Sequence, residues 1–377
     1  MPPHHARFDD LIAGRAVACP PAHRVLVAER PGEVAAVLAE VERATAAGDW
    51  AFGYVSYEAA PGLDPKLPSF PEKLGQMPLV WFGLCERPVA VTPIEVGREA
   101  VAAEAVWAPE WSAGEHAHAV DLVRKHIGAG DTYQCNLTSR LRTAFGGDPA
   151  ALYASLAAGQ RAALNAYLDL GDFVIVSASP ELFFEWAGDR VRTRPMKGTA
   201  ARGHDPESDR ERARRLRASP KEQAENLMIV DLLRNDLSKI ALTGSVEVPE
   251  LFALERYPTV WQMTSEVTAR LGAGVGLVEI FRALFPCGSV TGAPKRRSME
   301  IIRELESGPR GVYCGAIGLV APPSEPVRAR FSVAIRTAVV DRRAGTAVYG
   351  SGGGITWDSV PAEEWAELLT KATILNP

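Results

Sequence analysis

The run Leu182-Phe183-Phe184-Glu185-Trp186, turned by Gly188-Asp189 into Arg190-Val191-Arg192, decides the fold class. Aromatic and β-branched residues favour strands, and a Gly-Asp pair between two such runs signals a hairpin. Phe173-Val174-Ile175-Val176 reads as a strand just before it, and strands cluster again at 312–320, 327–340 and 345–350. Helical patterns fall between them irregularly. That excludes the strict strand-helix repeat of a doubly wound sheet and predicts an α+β fold. The hairpin leads into Arg194-Pro195-Met196-Lys197-Gly198-Thr199. An amine between a Pro-Met pair and a glycine can be presented bare to a ligand where backbone approaches closely. A free amine is protonated near neutral pH, so nucleophilic work requires burial or a neighbouring cation, for which Arg194 is the candidate. The plainer alternative is a solvated loop lysine.

Two helices carry paired carboxylates. Ser219-Pro220-Lys221-Glu222 has a capping serine, proline at the first helical position and glutamate at the third, which predicts a helix to about Asn235. Glu222 and Glu225 are three apart, hence on one face, and Leu227-Met228-Ile229-Val230 carries that helix into the interior. Asp358-Ser359-Val360-Pro361 starts a second helix, on which Glu364, Glu367 and Lys371 share a face. Four carboxylates on two helices would make an all-oxygen site without histidine or cysteine, the donor set that Mg²⁺ prefers. Exposed glutamates paired with Lys221 and Lys371 are the alternative.

Gly350-Ser351-Gly352-Gly353-Gly354-Ile355 follows a predicted strand, and its glycines let successive amides converge on an anion. It is not a GxGxxG opening a helix. Gly288 to Lys295 is not a phosphate loop either, because the spacing departs from GxxxxGK[ST] and Pro294 lacks an amide donor. Pro294 instead begins a helix through Leu305, with Ser289 and Thr291 in the loop before it. Arg336 lies in the apolar run Val333-Ala334-Ile335-Arg336-Thr337, read as a strand; its guanidinium is either paired internally or offered to a ligand carboxylate.

Elsewhere the signals are quieter. Residues 24–107 mix strands with an alanine-rich helix near 32–47, and Pro61 to Pro78 reads as a long surface connection. Ser112-Ala113-Gly114-Glu115 is a capping box opening a helix to Gly128 or Gly130. The mixed charges of Arg202 to Arg217 suit a solvated linker or helix surface. With 46 acidic and 41 basic residues, no global field argues for nucleic acid or an anionic membrane. Five scattered cysteines without CxxC spacing fit a reducing cytosol, and the absence of a leader or long apolar run predicts a cytoplasmic protein. No GxSxG elbow, HExxH or Ser/His/Asp set is visible, which disfavours hydrolase chemistry.

Taken together, Gly130-Asp131-Thr132-Tyr133-Gln134-Cys135-Asn136-Leu137-Thr138, Ser177-Ala178-Ser179-Pro180-Glu181-Leu182, Pro195-Met196-Lys197-Gly198-Thr199, Ala224 to Asp236, Gly288 to Lys295, Tyr313-Cys314-Gly315-Ala316-Ile317-Gly318 and Gly352 to Lys371 resemble the chorismate-utilising enzymes. The resemblance implies two large β-sheets packed face to face inside a helical jacket, with a β-rich part at 1–107 interleaved with a chorismate-binding catalytic part at 108–377. It implies that Glu225 and Glu367, assisted by Glu222 and Glu364, hold Mg²⁺, and that Thr199, Ser289, Tyr313, Arg336, Gly352, Gly354 and Lys371 line the substrate site. Lys197 would be the nucleophile and Glu181 the general acid.

Similar anthranilate synthases typically carry alanine at the Lys197 position, and isochorismate synthases place a lysine where this chain has Gln134. The resemblance therefore implies amination at ring carbon 4 of chorismate, towards 4-aminobenzoate and folate. Ammonia would come from a separate glutamine amidotransferase, and a separate aminodeoxychorismate lyase would act downstream. Gln262 stands where many relatives have a histidine associated with pyruvate elimination, which favours stopping at aminodeoxychorismate. The alternatives are amination at carbon 2, as in anthranilate synthase, and a non-catalytic relative that only binds an amidotransferase.

Overall fold

The hairpin forms as its residues dictate: Leu182–Ala187 and Arg190–Arg194 pair antiparallel, with Trp186 opposite Val191. A computed structural model describes residues 4–70, 77–95, 106–257 and 260–375, and among them lie two ten-stranded antiparallel sheets. The first runs Gly292–Ala293, Gln134–Ala144, Thr346–Ile355, Thr337–Asp341, Phe173–Ser179, Leu164–Asp169, His5–Asp10, Arg15–Cys19 and Val89–Val91, with Ala108–Pro109 beside Gln134–Ala144. The second runs Met196–Ala201, Val260–Arg270, Arg190–Arg194, Leu182–Ala187, Ala329–Val333, Ala316–Val320, Trp50–Val55, Val80–Cys85 and Arg24–Ala28, with Glu247–Arg256 also paired to Val260–Arg270. The first 95 residues thus supply strands to both sheets.

The sheets face each other through Phe52, Tyr54 and Trp81 on one side and Ala166, Leu168 and Ile175 on the other. Helices cover the outer faces. Pro31–Ala46, Pro220–Ser238 and Leu277–Leu284 bury Leu38, Ile229, Leu233 and Phe281 against Phe82, Phe184 and Phe331 of the second sheet. Pro149–Gln160 and Pro361–Ala372 bury Leu152, Leu156 and Leu368 on the first sheet. Ala113–Gly128 and Lys295–Leu305 close on Cys135 and Leu137. The α+β expectation, with two large packed sheets, holds. Among the described residues no helix is long and apolar enough to cross a membrane.

Local signals give correct helix ends. Ser112 accepts from the Glu115 amide while Glu115 caps the Ser112 amide, and Ser219 accepts from the Glu222 amide. The last helix is an exception: its N-cap is Val360, while Ser359 turns back to accept from the Thr356 amide and donates to Glu364. Four further expectations need correction. The alternative of a solvated loop lysine fails, for Lys197 lies inside the Met196–Ala201 strand, where that segment finds a partner in Val260–Arg270. Of 312–320, only Ala316–Val320 is strand, since Cys314 takes a positive φ of 63°. The proline-rich connection is not simply superficial: Ala60–Leu63 is helical and Leu63 and Leu67 are buried, while residues 71–76 lie outside the described residues. Arg336 is not in a strand.

That last correction explains how the molecule builds its cleft. Ala329–Val333 belongs to the second sheet and Thr337–Asp341 to the first, so the chain must change sheets between them, and Arg336 makes the turn at φ 52°. Phe173–Ser179 and Leu182–Ala187 make the reverse change through Pro180-Glu181. The two crossings run side by side: the Val333 amide donates to the Glu181 carbonyl, the Ser179 hydroxyl to the Val333 carbonyl, and the Ala178 amide to the Arg336 carbonyl. Arg310 braces the adjacent loop from within. Its guanidinium donates to the carbonyls of Val290 and Asn136, pairs with Glu306 at 2.7 Å and lies 4.6 Å from the Tyr57 ring centre.

Candidate active site

The sheet-crossing seam places Glu181 and Arg336 at one end of a cleft whose walls are the Met196–Ala201 and Thr346–Ile355 strands. Lys197 comes from the second sheet and meets the glycine run of the first. A methyl group built on Gly354 would stand 2.8 Å from Lys197 Nζ and 2.3 Å from Gln134 Nε2, so only glycine lets these side chains converge there. A methyl on Gly353 would stand 3.1 Å from Glu364 Oε2, 3.7 Å from Lys371 Nζ and 3.8 Å from Glu367 Oε1. On the other wall, one on Gly198 (φ +91°) would stand 2.9 Å from Glu222 Oε2. Gly353 and Gly354 direct these groups to opposite faces of the strand, yet Lys197 acts on Glu222, Glu367 and Lys371, and Glu367 on Glu222 and Glu364, so the fold gathers all five around the edge of the glycine run.

The glycine run is itself a correction. It is not a loop of convergent amides but part of a strand, with Gly352 opposite Thr138 and Gly354 opposite Asn136. On its other side the Thr337–Asp341 strand reaches only as far as Tyr349, leaving the glycines with an open edge. Lys371 Nζ donates to the Gly352 carbonyl at 2.7 Å on that edge. Since an antiparallel residue directs its amide and carbonyl to the same side, and every second residue repeats that direction, the amides of Gly352 and Gly354 face the cleft.

The carboxylates differ in surroundings. Burial raises Glu222 and Glu225 above the usual carboxylate range, and Lys197 and Lys221 act in the opposite sense on both. Among the described residues neither carboxylate has a hydrogen-bond partner. Glu364 is also raised by burial, against the Ser359 hydroxyl that donates to it at 2.6 Å. The burial that raises Glu367 is partial, since its side chain is 55% exposed, and its ion pair with Lys371 at 2.5 Å holds it below the usual range. Burial lowers Lys371, with Arg336 and Lys197 adding repulsion. The arrangement combines carboxylates short of cations on one helix with crowded cations beside the other. Among the described residues no three carboxylate, imidazole or thiol groups form a closed metal cage. The available donors nevertheless fit a hard divalent cation, which keeps waters and takes further oxygens from a bound ligand.

Glu181 lies 3% exposed at the seam, and burial pushes its carboxyl up to about 7 against the Ser289 hydroxyl and the Lys197 amine. Arg336 Nε is buried without a partner, its Nη1 makes a long contact of 3.4 Å to the Lys371 carbonyl, and its guanidinium also acts on the Tyr349 hydroxyl. Of the two possibilities open for this arginine, the structure lacks the internal ion pair among the described residues. Tyr313 packs its ring over Gly350, where any Cβ would fall inside van der Waals contact. Thr199 donates to Gln262 Oε1 and Gln262 Nε2 donates to the Gly198 carbonyl, both at 2.9 Å, so Gln262 clamps the strand bearing Lys197. Arg194 does not face Lys197 as a free cation: Glu250 and Glu255 hold it at 3.2 and 3.0 Å, and the neighbouring cation is Lys371.

Sequence reasoning did not select two residues of this cleft as site residues. Gln134 is fully buried with both ends of its amide unpartnered, directly beside Lys197 and Gly354. Cys287 lies under Glu181 and Ser289. For the first, the resemblance had already marked the position as that of a lysine in isochorismate synthases, and a glutamine inside the strand Gln134–Ala144, where apolar residues should be buried, was a second signal. For the second there was none.

A family model described as chorismate binding enzyme matches residues 27–377. The chain is 41% identical over 272 residues to aminodeoxychorismate synthase component 1 of Salmonella typhimurium, covering 72% of this chain and 59% of that protein. It is 37% identical over 269 residues to anthranilate synthase component 1 of Aquifex aeolicus, covering 71% of this chain and 53% of that one. Among solved structures, anthranilate synthase component I from Streptococcus pneumoniae superposes with a TM-score of 0.82 at 24% identity, over 100% of this chain and 93% of that chain. The chain thus spans between half and three fifths of those two curated relatives. With this fold and this cleft, it belongs to the family of chorismate binding enzymes.

Proposed function

We propose that the protein is an aminodeoxychorismate synthase component, converting chorismate and ammonia to 4-amino-4-deoxychorismate. The observation that carries this reading is the meeting of Lys197 with Glu181 on one side and the glutamate-lined cleft on the other. Lys197 delivers its amine to ring carbon 2 while the ring double bonds shift and the carbon 4 hydroxyl leaves. Glu181, whose proton burial retains up to about pH 7, gives it to that hydroxyl, which departs as water. Ammonia then bonds to carbon 4, the double bonds return, and the carbon 2 to nitrogen bond to Lys197 breaks. Two conjugate displacements replace one difficult substitution.

Arg336, Lys371 and the amides of Gly352 and Gly354 bind and orient the substrate carboxylates, while Tyr313, Ser289 and Thr199 line the ring and its side chain. Glu225 and Glu367, with Glu222 and Glu364 assisting, would hold Mg²⁺, whose chemistry when bound is to neutralise carboxylates that those glutamates would otherwise repel. The ammonia source is a glutamine amidotransferase partner, and a separate lyase completes 4-aminobenzoate for folate. The 41% identity to an aminodeoxychorismate synthase component and the lysine at 197 favour this over amination at carbon 2.

Product analysis by mass spectrometry after incubation with chorismate, Mg²⁺ and ammonium tests it directly. Aminodeoxychorismate is expected, converted to 4-aminobenzoate only when a lyase is added; fluorescent anthranilate without a lyase would refute the reading. Two further outcomes follow. Because Glu181 titrates near 7 and must carry a proton to donate it, kcat falls as pH rises through about 7. A pH-rate profile flat from pH 6 to 9 would contradict this role. Gly354→Ala drives a methyl into Lys197 and Gln134, and kcat/KM should drop by about 10²-fold or more, the usual result of misplacing a reacting group by an ångström. Native kinetics in that variant would show that Lys197 works elsewhere.

A further inference from the structure

The proton donor of the proposed reaction does not stand alone. Cys287 Sγ lies 3.9 Å from Glu181 Oε1 and 3.3 Å from Ser289 Oγ, and all three side chains are buried. The backbone that carries the thiol is anchored, for the Cys287 carbonyl accepts from the Thr291 hydroxyl and from the Val290 amide. Burial pushes the thiol up to about 12, so it keeps its hydrogen; in its contact with Ser289 either group can donate, whereas towards the Glu181 carboxylate the thiol is the donor. Glu181 is equally fixed: its amide donates to Ser179 Oγ and its carbonyl accepts from Val333.

We propose that Cys287 is a positioning residue for the proposed general acid: its S–H, together with the Ser289 hydroxyl, fixes the rotamer of the Glu181 carboxyl and favours its ionised state after proton delivery. The inference rests on the reading of Glu181 given above. The groups that face this carboxyl are few. Lys197 and the Met196 amide approach from their strand, Ser289 and Cys287 from the loop opposite, and Lys295 acts on Cys287 from beyond while held by Asp236 at 2.8 Å. A sulfur donor is weak in water, but in a buried site with so few alternatives its loss is felt by the carboxylate form.

The test is the pH-rate profile of Cys287→Ala and of Cys287→Val, which retains volume without a donor, beside Cys287→Ser, which restores one. Without the donor the ionised carboxylate is less favoured, so the alkaline limb of kcat should move up by roughly half a pH unit in Ala and Val. The Ser variant should return towards the native limb, and chorismate KM should stay within about twofold in all three, as expected for a group that acts through Glu181. Ala and Val profiles superimposable on the native one overturn the proposal. Glu181→Gln separates the two levels of the argument. If it abolishes the limb while Cys287→Ala leaves it in place, only the role of Cys287 fails; if the limb survives in Glu181→Gln, the reading of Glu181 fails.

Discussion

Lys197→Ala should lower aminodeoxychorismate formation by about 10³-fold or more while leaving the thermal melting temperature near native, since removing a nucleophile removes the covalent route itself. Lys197→Arg should not rescue it, because a guanidinium stays charged and offers no free electron pair for attack. The stability control matters. Lys197 is half-buried on a strand held by the Val260–Arg270 ladder and by the Gln262 clamp, so truncating its side chain leaves those supports in place. Undiminished product from Lys197→Ala would place the chemistry elsewhere in the cleft.

The second large effect concerns the carboxylates. Removing divalent metal with a chelator should abolish turnover, with restoration on adding excess Mg²⁺. Glu225→Gln should raise the Mg²⁺ concentration for half-maximal rate by roughly 10-fold or more, since losing a group that only supports a metal ligand already costs about 10- to 100-fold. The physical basis is that Glu222 and Glu225 are partly buried like charges raised by desolvation, with no hydrogen-bond partner among the described residues. Such a pair is costly unless a cation enters with the substrate. Glu367 provides the contrast. It already has Lys371 at 2.5 Å, so Glu367→Gln frees that ammonium and should perturb substrate KM as well as metal dependence. Full activity in chelator, or a Glu225→Gln variant with unchanged Mg²⁺ dependence, would remove the metal from the account.

How far the sequence discloses this arrangement depends on the range of the interactions involved. The hairpin at Leu182 to Arg194, the caps at Ser112 and Ser219 and the glutamate faces are local, set by neighbours within a turn, and they form as their residues specify. The sheet order is not local. Nothing within Val333 to Thr337 says that the chain leaves one sheet for another, so Arg336 reads as a strand residue when it is the turn between sheets. That Lys197 lies in a strand is hidden for the same reason, because its strand partner is about 65 residues away. The glycine run shows the reverse error. Glycine is normally depleted in strands, so Gly352 to Gly354 suggested a loop; in the fold, bare backbone is required there because Lys197, Gln134 and Glu364 all press against it.

The site residues were legible through their resemblance to a family, and their supports were not. Gln262 as a clamp and Cys287 as a neighbour of the acid emerge only from what they touch: the Gly198 carbonyl and Thr199 hydroxyl in one case, Glu181 and Ser289 in the other. Arg194 marks the limit of reasoning from proximity in sequence. It is three residues from Lys197, yet it points to Glu250 and Glu255, and Lys371, far along the chain, is the cation that acts with Lys197.

The central claim is a bond between Lys197 and the substrate ring. Acid-quenched protein, mixed with chorismate and Mg²⁺ without ammonia, should carry a mass increase equal to chorismate less one water, and peptide mapping should place it on Lys197. Unmodified Lys197 peptide at every time point, in protein that still forms aminodeoxychorismate once ammonium is added, would contradict it.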